Sequence, residues 1–250
     1  MWNNARLMNL IASGMLILAG AIIAQIGFVI VASSPHFALS RASVTGALEH
    51  VTREQVSDAI TGRALGNFFS ADLVLVKKLV EEIPWVRNAD VRRQWPDRLE
   101  ILVEEHRALA RWGDQKLINV YGELFVALAP ANLPMLNGPA GSEGEVARRF
   151  YRFRELVKPL GAEPVELLMS PRYAWTLKLS NAMTIELGRD QAKSSVDTRL
   201  QRFVDAHGSA TASLGRKVIH ADLRYPNGFA VRIPGLGAEQ PRVPVMKKKG

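Results

Sequence analysis

The residues from Leu10 to Ala32 form one apolar run, and no Asp, Glu, Lys or Arg occurs between Arg6 and Arg41. Twenty-three residues at about 1.5 Å rise extend roughly 34 Å, enough to cross a hydrocarbon core of about 30 Å. The run predicts a transmembrane helix over residues 10–32, preceded by a short tail of residues 1–9. The competing reading is a cleaved signal peptide, whose apolar region is usually about 7–15 residues and ends in an A-x-A-like site. Here the run is longer, and Val31-Ala32-Ser33 is only a passable cleavage site, so an uncleaved anchor is expected. Arg6 and the amino terminus flank one end, and Ser33, Ser34, Pro35 and His36 the other. By the positive-inside rule the tail is expected in the cytoplasm, with the C-terminal body outside it.

Beyond the anchor remain about 215 residues, enough for two modest domains or one large one. The net charge of +8 suggests a polyanion partner until it is partitioned. Arg6 supplies one charge and Lys247 to Lys249 three, which leaves +4 for the folded part. A modest, spread charge is not a phosphate-binding stripe, so no nucleic-acid partner is expected. The terminal lysines read as a solvated tail or as a contact for anionic lipid. With no cysteine in the chain, disulfides, thiolate nucleophiles and cysteine-ligated metals are excluded. A cysteine-free body suits an oxidising compartment without requiring one.

Residues 37–107 read as one module. Phe37 to Ser40 and Ala42 to Val44 suggest a first strand. Thr52-Arg53-Glu54-Gln55 has the spacing of a capping box and opens a helix through about Ile60. Ser70 is placed to cap a second helix, in which Leu73, Val76, Val80 and Ile83 form an apolar face, with Lys77, Lys78, Glu81 and Glu82 outside. Pro84 ends it. The period then changes to two: Val86, Ala89 and Val91, a turn at Trp95-Pro96-Asp97, then Leu99, Ile101 and Val103. The expected order is β-α-α-β-β, helices on one face of a small sheet.

Residues 108–236 read as a β-rich domain with flanking helices, followed by a tail over 237–250. Leu117 to Val120 and Leu124 to Val126 form a hairpin about Tyr121-Gly122-Glu123, and a loop punctuated by Pro130, Pro134, Gly138, Pro139 and Gly141 follows. A helix from about Glu143 to Leu160 carries Val146, Phe150, Phe153 and Val157 on one face. Strands are expected at Thr176 to Leu179, Met183 to Leu187, Val218 to Leu223 and Phe229 to Ile233, with a helix through Val196, Leu200, Phe203 and Val204. Pro234, Pro241 and Pro244 forbid much sheet beyond. The fold class is therefore α+β. A last strand leaves unpaired N–H and C=O groups on its outer side, a rail on which another chain can add a strand.

Catalytic patterns are missing. His36, His50, His106, His207 and His220 never take a tight ligand spacing, and the chain has no S-x-x-K, G-x-S-x-G or Walker loop. No enzyme activity, metal, cofactor or small-molecule substrate is expected. Glu104-Glu105-His106 reads as a polar strand end, because Glu105 points opposite to both neighbours on an alternating strand. Trp85 and Trp95 read as covers over a small core, rather than a stacking platform. Arg92, Arg93 and Arg98 read as a solvated strand face.

Pro84-Trp85-Val86, Val91-Arg92-Arg93-Gln94-Trp95-Pro96-Asp97, Ala110-Arg111-Trp112 and Asp222-Leu223-Arg224-Tyr225 resemble the bacterial FtsQ/DivIB cell-division family, over nearly the whole chain. The resemblance implies one inner-membrane span, a periplasmic POTRA module and a β-domain, serving as a non-enzymatic scaffold of the division septum that helps control peptidoglycan synthesis. It implies FtsB- and FtsL-like partners on the β-domain, with Arg189, Arg224, Tyr225, Asn227 and Gly228 beside the strand bearing Phe229, Val231 and Ile233. It also implies recruitment of other divisome components through Asn88, Val91 and Arg93 on the module. Two departures stand out: only about nine residues precede the span, and Ile233 stands where members of the family often have tryptophan. Readings from other classes are a membrane-anchored periplasmic cell-wall enzyme and a POTRA-containing transport chaperone. A cleft with convergent ionisable groups favours the enzyme, and an uncovered strand edge beside Tyr225 favours the scaffold.

Overall fold

The computed structural model describes residues 5–32, 39, 41–61, 63, 67–192, 194–214, 217–225 and 228–234. Helix α1, Ala5–Ala32, contains the apolar stretch Met8–Val31, all of whose residues are exposed. It is long and apolar enough to cross a membrane, and it starts five residues earlier than the apolar run alone suggests. The chain divides into two compact units at His106 and Arg107, the first of which includes α1.

After α1, the first unit runs β1 (Arg41–Thr45), α2 (Arg53–Ile60), α3 (Leu73–Glu81), β2 (Val86–Gln94) and β3 (Arg98–Glu105). Of the expected first strand, Phe37, Ala38 and Ser40 lie outside the described residues. The sheet order is β1-β3-β2, with β1 parallel and β2 antiparallel to the central strand. Thr52 and Gln55 close the capping box of α2, each side chain bonding the other's backbone. The cap of α3 differs from expectation. Asp72 accepts the N–H groups of Val74 and Leu75, while Ser70 bonds Asn67 and belongs to the preceding turn. An ionised acceptor at a helix start is favoured by the helix dipole as well as by the bonds themselves.

A register shift between Val86 and Asn88 lets both Val86 and Ala89 turn inward despite their odd spacing. Leu99, Ile101 and Val103 of β3 are buried, as are Val76, Leu79 and Val80 of α3. The two tryptophans part company. Trp85 is buried and stacks on His50 at 3.8 Å, whereas Trp95 is 73% exposed and covers no core. Glu105 does point away from its neighbours: its carboxylate accepts the N–H groups of Glu49, His50 and Val51, while Glu104 pairs with Arg87.

The second unit is a nine-stranded sheet with two helices. Its strands are β4 (Ala108–Trp112), β5 (Lys116–Asn119), β6 (Leu124–Phe125), β7 (Met135–Asn137), β8 (Pro164–Met169), β9 (Trp175–Leu179), β10 (Thr184–Gly188), β11 (His220–Asp222) and β12 (Ala230–Arg232). The order across the sheet is β12-β11-β10-β9-β8-β7-β4-β5-β6. Helices α4 (Glu143–Val157) and α5 (Val196–Leu214) supply Val146, Phe150, Phe153, Leu200 and Phe203 to the core.

Three strands, β4, β7 and β8, appear where the sequence reads as loop or is silent. The segment around Leu136 pairs in parallel with β4 and β8, and Pro164–Met169 joins β7 to β9. Gly122 takes φ +84° in the β5–β6 turn, and its α-carbon comes so close to Gly144 that a Cβ would stand 2.7 Å away. Asn119, fully buried, holds that turn by accepting from the N–H groups of Tyr121 and Glu123.

Candidate functional site

Following the register across the second sheet, Leu136, Leu167, Leu177, Ile185 and Ala221 stand side by side, each fully buried on the helix-covered face. The sixth member of the row is Val231 on β12, which is 40% exposed. The apolar row thus runs to the outer strand and stops there uncovered on one flank. Two further side chains of the same parity anchor β12: Ile233 is buried, and the ring of Phe229 stands edge-on to Phe203 at 5.3 Å. Among the predicted binding residues, Phe229 and Ile233 therefore face the core with their side chains. Because strands alternate, every other N–H and C=O of an outermost strand points away from the sheet.

On the opposite, polar face, Glu186 and Asp222 are register partners. Asp222 accepts from Arg224 Nε at 2.9 Å and Nη2 at 2.6 Å, and Glu186 stands 3.4 Å from Nε. These bonds hold the Asp222 carboxyl below its ordinary range, against the opposing effect of burial, and raise Arg224 above its own. The stem of Arg224 crosses Gly188, φ +68°, where a Cβ would stand 2.9 Å from its Cγ. Arg224 is thus a fixed part of the surface with its charge already matched.

Arg189 differs: it is exposed, and among the described residues its guanidinium has no ion pair. Tyr225 is 56% exposed and Gly228 is exposed, whereas Asn227 lies outside the described residues.

Sequence reasoning missed the residue that fixes this corner. Arg199 on α5 is 3% exposed and donates to the carbonyls of Leu187 (2.6 Å), Arg189 (2.7 Å) and Ser194. Burial lowers its pKa, and the nearby Asp190 opposes that shift. The signal was available in the sequence: Arg199 lies three residues after Val196 and one before Leu200, on the apolar stripe of the helix. Gln191 adds a bond from its Nε2 to the Arg224 carbonyl, tying the segment after β10 to the end of β11.

In the first unit, Val91 pairs with Ile101 and Arg93 with Leu99, which sets both on the helix-covered face of the edge strand β2. Val91 is half-buried. Arg93 is more engaged than a solvated charge, since its Nη2 donates to the Ala71 carbonyl at 2.8 Å. Asn88, of the other parity, accepts from Lys77 at 3.1 Å.

An open groove of about 730 Å³ between α4 and α5 is lined by Arg152, Leu156, Asp197, Gln201, Arg202 and Asp205. Asp197 pairs with Arg149 and Arg152, and Asp205 accepts from Gln201. Among the described residues no three His, Asp or Glu side chains are grouped to hold a metal.

Residues 37–106 match the family model described as POTRA domain, FtsQ-type, and residues 110–224 match that for cell division protein FtsQ/DivIB, C-terminal. The chain is 44% identical over 239 residues to the cell division protein FtsQ of Burkholderia pseudomallei (strain K96243), covering 94% of this chain and 96% of that one. The chain belongs to the FtsQ/DivIB cell-division family. FtsQ of Bordetella pertussis is 40% identical, covering 96% and 95% of the two chains, and FtsQ of Nitrosospira multiformis 37%, covering 93% and 99%. The β-α-α-β-β unit is accordingly an FtsQ-type POTRA domain, followed by a β-rich C-terminal domain. Membership of FtsQ/DivIB gives the chain a role in cell division, and its apolar N-terminal helix is consistent with a single-pass membrane protein. Tyr225 and β12 lie just beyond the matched C-terminal stretch, which ends at Arg224.

Proposed function

We propose that this chain is a non-enzymatic scaffold of the divisome that receives FtsB- and FtsL-type partners on the β12 edge, and so helps recruit and regulate septal peptidoglycan synthesis. In this reading residues 1–9 are cytoplasmic, 10–32 cross the inner membrane, and the body is periplasmic at the septum. Residues 37–107 recruit other divisome components through Asn88, Val91 and Arg93, and 108–236 hold the partner. The tail over 237–250 lies outside the described residues.

The observation that carries the reading is the apolar row that ends uncovered at Val231. A strand added beside β12 covers that flank and satisfies outward backbone groups in one step. Tyr225 supplies an exposed aromatic anchor next to it, and Arg189 a cation free to meet a partner carboxylate, while Arg224 shapes the surface between them.

Titrating the purified full chain in detergent with the soluble region of an FtsB-type protein tests this. Truncating a central aromatic anchor commonly costs about 2 kcal/mol, so Tyr225→Ala is expected to weaken binding roughly thirtyfold. Arg189→Glu weakens it as well, and reversing the partner carboxylate restores part of the loss. Wild-type affinity in Tyr225→Ala, with unchanged circular dichroism, overturns the proposed edge. Protection of the body from protease in intact spheroplasts overturns the topology.

A further inference from the structure

From Asn67 to Val76 the chain carries one charged side chain, Asp72, and its carboxylate is occupied in capping α3. Around it three large apolar side chains stand open: Phe69 is 46%, Val74 78% and Leu75 39% exposed. The turn that presents them is tightly bonded, with Asn67 Oδ1 accepting from the N–H groups of Phe69 and Ser70. The rings of Phe68 and Phe69 brace each other edge to face at 5.4 Å. A water-facing turn gains nothing from such a tip.

Two observations identify what covers it. The ring of Phe69 stands 6.3 Å from that of Phe28, edge to face, and Phe28 lies three residues inside the end of the apolar span Met8–Val31. At about 1.5 Å per residue that is roughly 5 Å below the membrane boundary. Residues 33–40, which join the span to β1, reach at most about 29 Å when fully extended, so the first unit is held close to the bilayer.

We propose that the Phe68–Phe69 turn and the first turn of α3 are a membrane-dipping tip, seated in the headgroup–acyl boundary of the bilayer that α1 crosses. Apolar faces in that zone sit about 5–10 Å deep, which agrees with the level of Phe28. The tip gives the first unit a second attachment besides the linker, and limits its swivel about the span. It rests on the reading of α1 as a membrane span and is independent of any partner on β12.

The chain has no cysteine, so one introduced at Val74 is a unique labelling site. The full chain carrying a nitroxide at Val74→Cys, reconstituted in vesicles of phosphatidylethanolamine and phosphatidylglycerol, is expected to be severalfold more accessible to oxygen than to a water-soluble nickel chelate. Adding Phe68→Ser and Phe69→Ser should reverse that ratio. Phe28→Ala should leave it in place, because lipid holds the tip. A label at Val74 open to the nickel chelate in the otherwise unaltered chain overturns the proposal. So does loss of the lipid signature in Phe28→Ala, which would mean that the tip leans on the span and not on the bilayer.

Discussion

Both units end in an edge strand whose inward side chain is only partly covered, and the two edges are finished differently. On β2, Val91 is flanked by Arg93, which reaches the Ala71 carbonyl, and by Asn88, held by Lys77. Four of its nine residues are charged, and a register shift bends its start. Charge and bulges are the usual means of keeping a sheet edge from recruiting another strand. The β12 edge has a single charge, Arg232, within its three residues, and its flanking Phe229 and Ile233 are packed inward. One edge is closed by side chains, while the other leaves backbone and the end of an apolar row at the surface. If so, substitutions on β2 should act on side-chain recognition, and those on or behind β12 on strand pairing.

The largest effect is expected behind the β12 edge. Arg199→Ala leaves the carbonyls of Leu187, Arg189 and Ser194 without their buried donor, which should cost about 2–4 kcal/mol. Urea unfolding should show a lower midpoint at an unchanged slope. Partner affinity should fall with it, and retained affinity would break the link between Arg199 and the docking edge. Next comes Val231→Glu, which puts a charge at the end of the apolar row and should weaken partner binding by about 2 kcal/mol, some thirtyfold. The matched change Val91→Glu on β2 should leave that affinity untouched in a calorimetric titration, and an equal loss from both would erase the distinction between the edges.

Arg93→Glu should cost about 1 kcal/mol through loss of the Ala71 contact and reduce septal localisation of a fluorescent fusion. Arg93→Lys should recover part of both. Smallest is Asp222→Asn, a few tenths of a kcal/mol at neutral pH, since its partner Arg224 is largely exposed. The Asp222 pKa is depressed on folding. Its contribution is therefore present above the unfolded value of about 3.9 and lost as pH falls through the folded one. The stability gap between wild type and Asp222→Asn should accordingly narrow in unfolding curves taken at pH values progressively below about 3.9.

The features legible in the sequence were those written in one stretch of chain. The apolar run, the Thr52–Gln55 box, and the four-residue rhythm of Val146, Phe150, Phe153 and Val157 each state their structure locally. The strand at Met135–Asn137 does not. It has one buried residue, Leu136, between Pro134 and Gly138, and both its neighbours in the sheet pair with it in parallel from distant positions. Ser70 and Asp72 are both good caps, and only the backbone path through Asn67 decides between them. At the candidate site, exposed Tyr225 and Arg224 could be picked out from sequence; Arg199 announces itself only as a charge on the apolar stripe of α5, because its partners are three carbonyls that no residue type announces.

From β7 to β12 the order of strands in the sheet is also their order in the chain. Each new strand is laid on the outside of the one before, as the chain is delivered from its amino end. Until β12 arrives, the outermost strand is β11 and the row ends at Ala221, a side chain too small to offer much grip. The row gains its exposed terminal valine only once the chain has been delivered through β12. In the proposed function, a partner strand paired beside β12 extends the same series by one further strand.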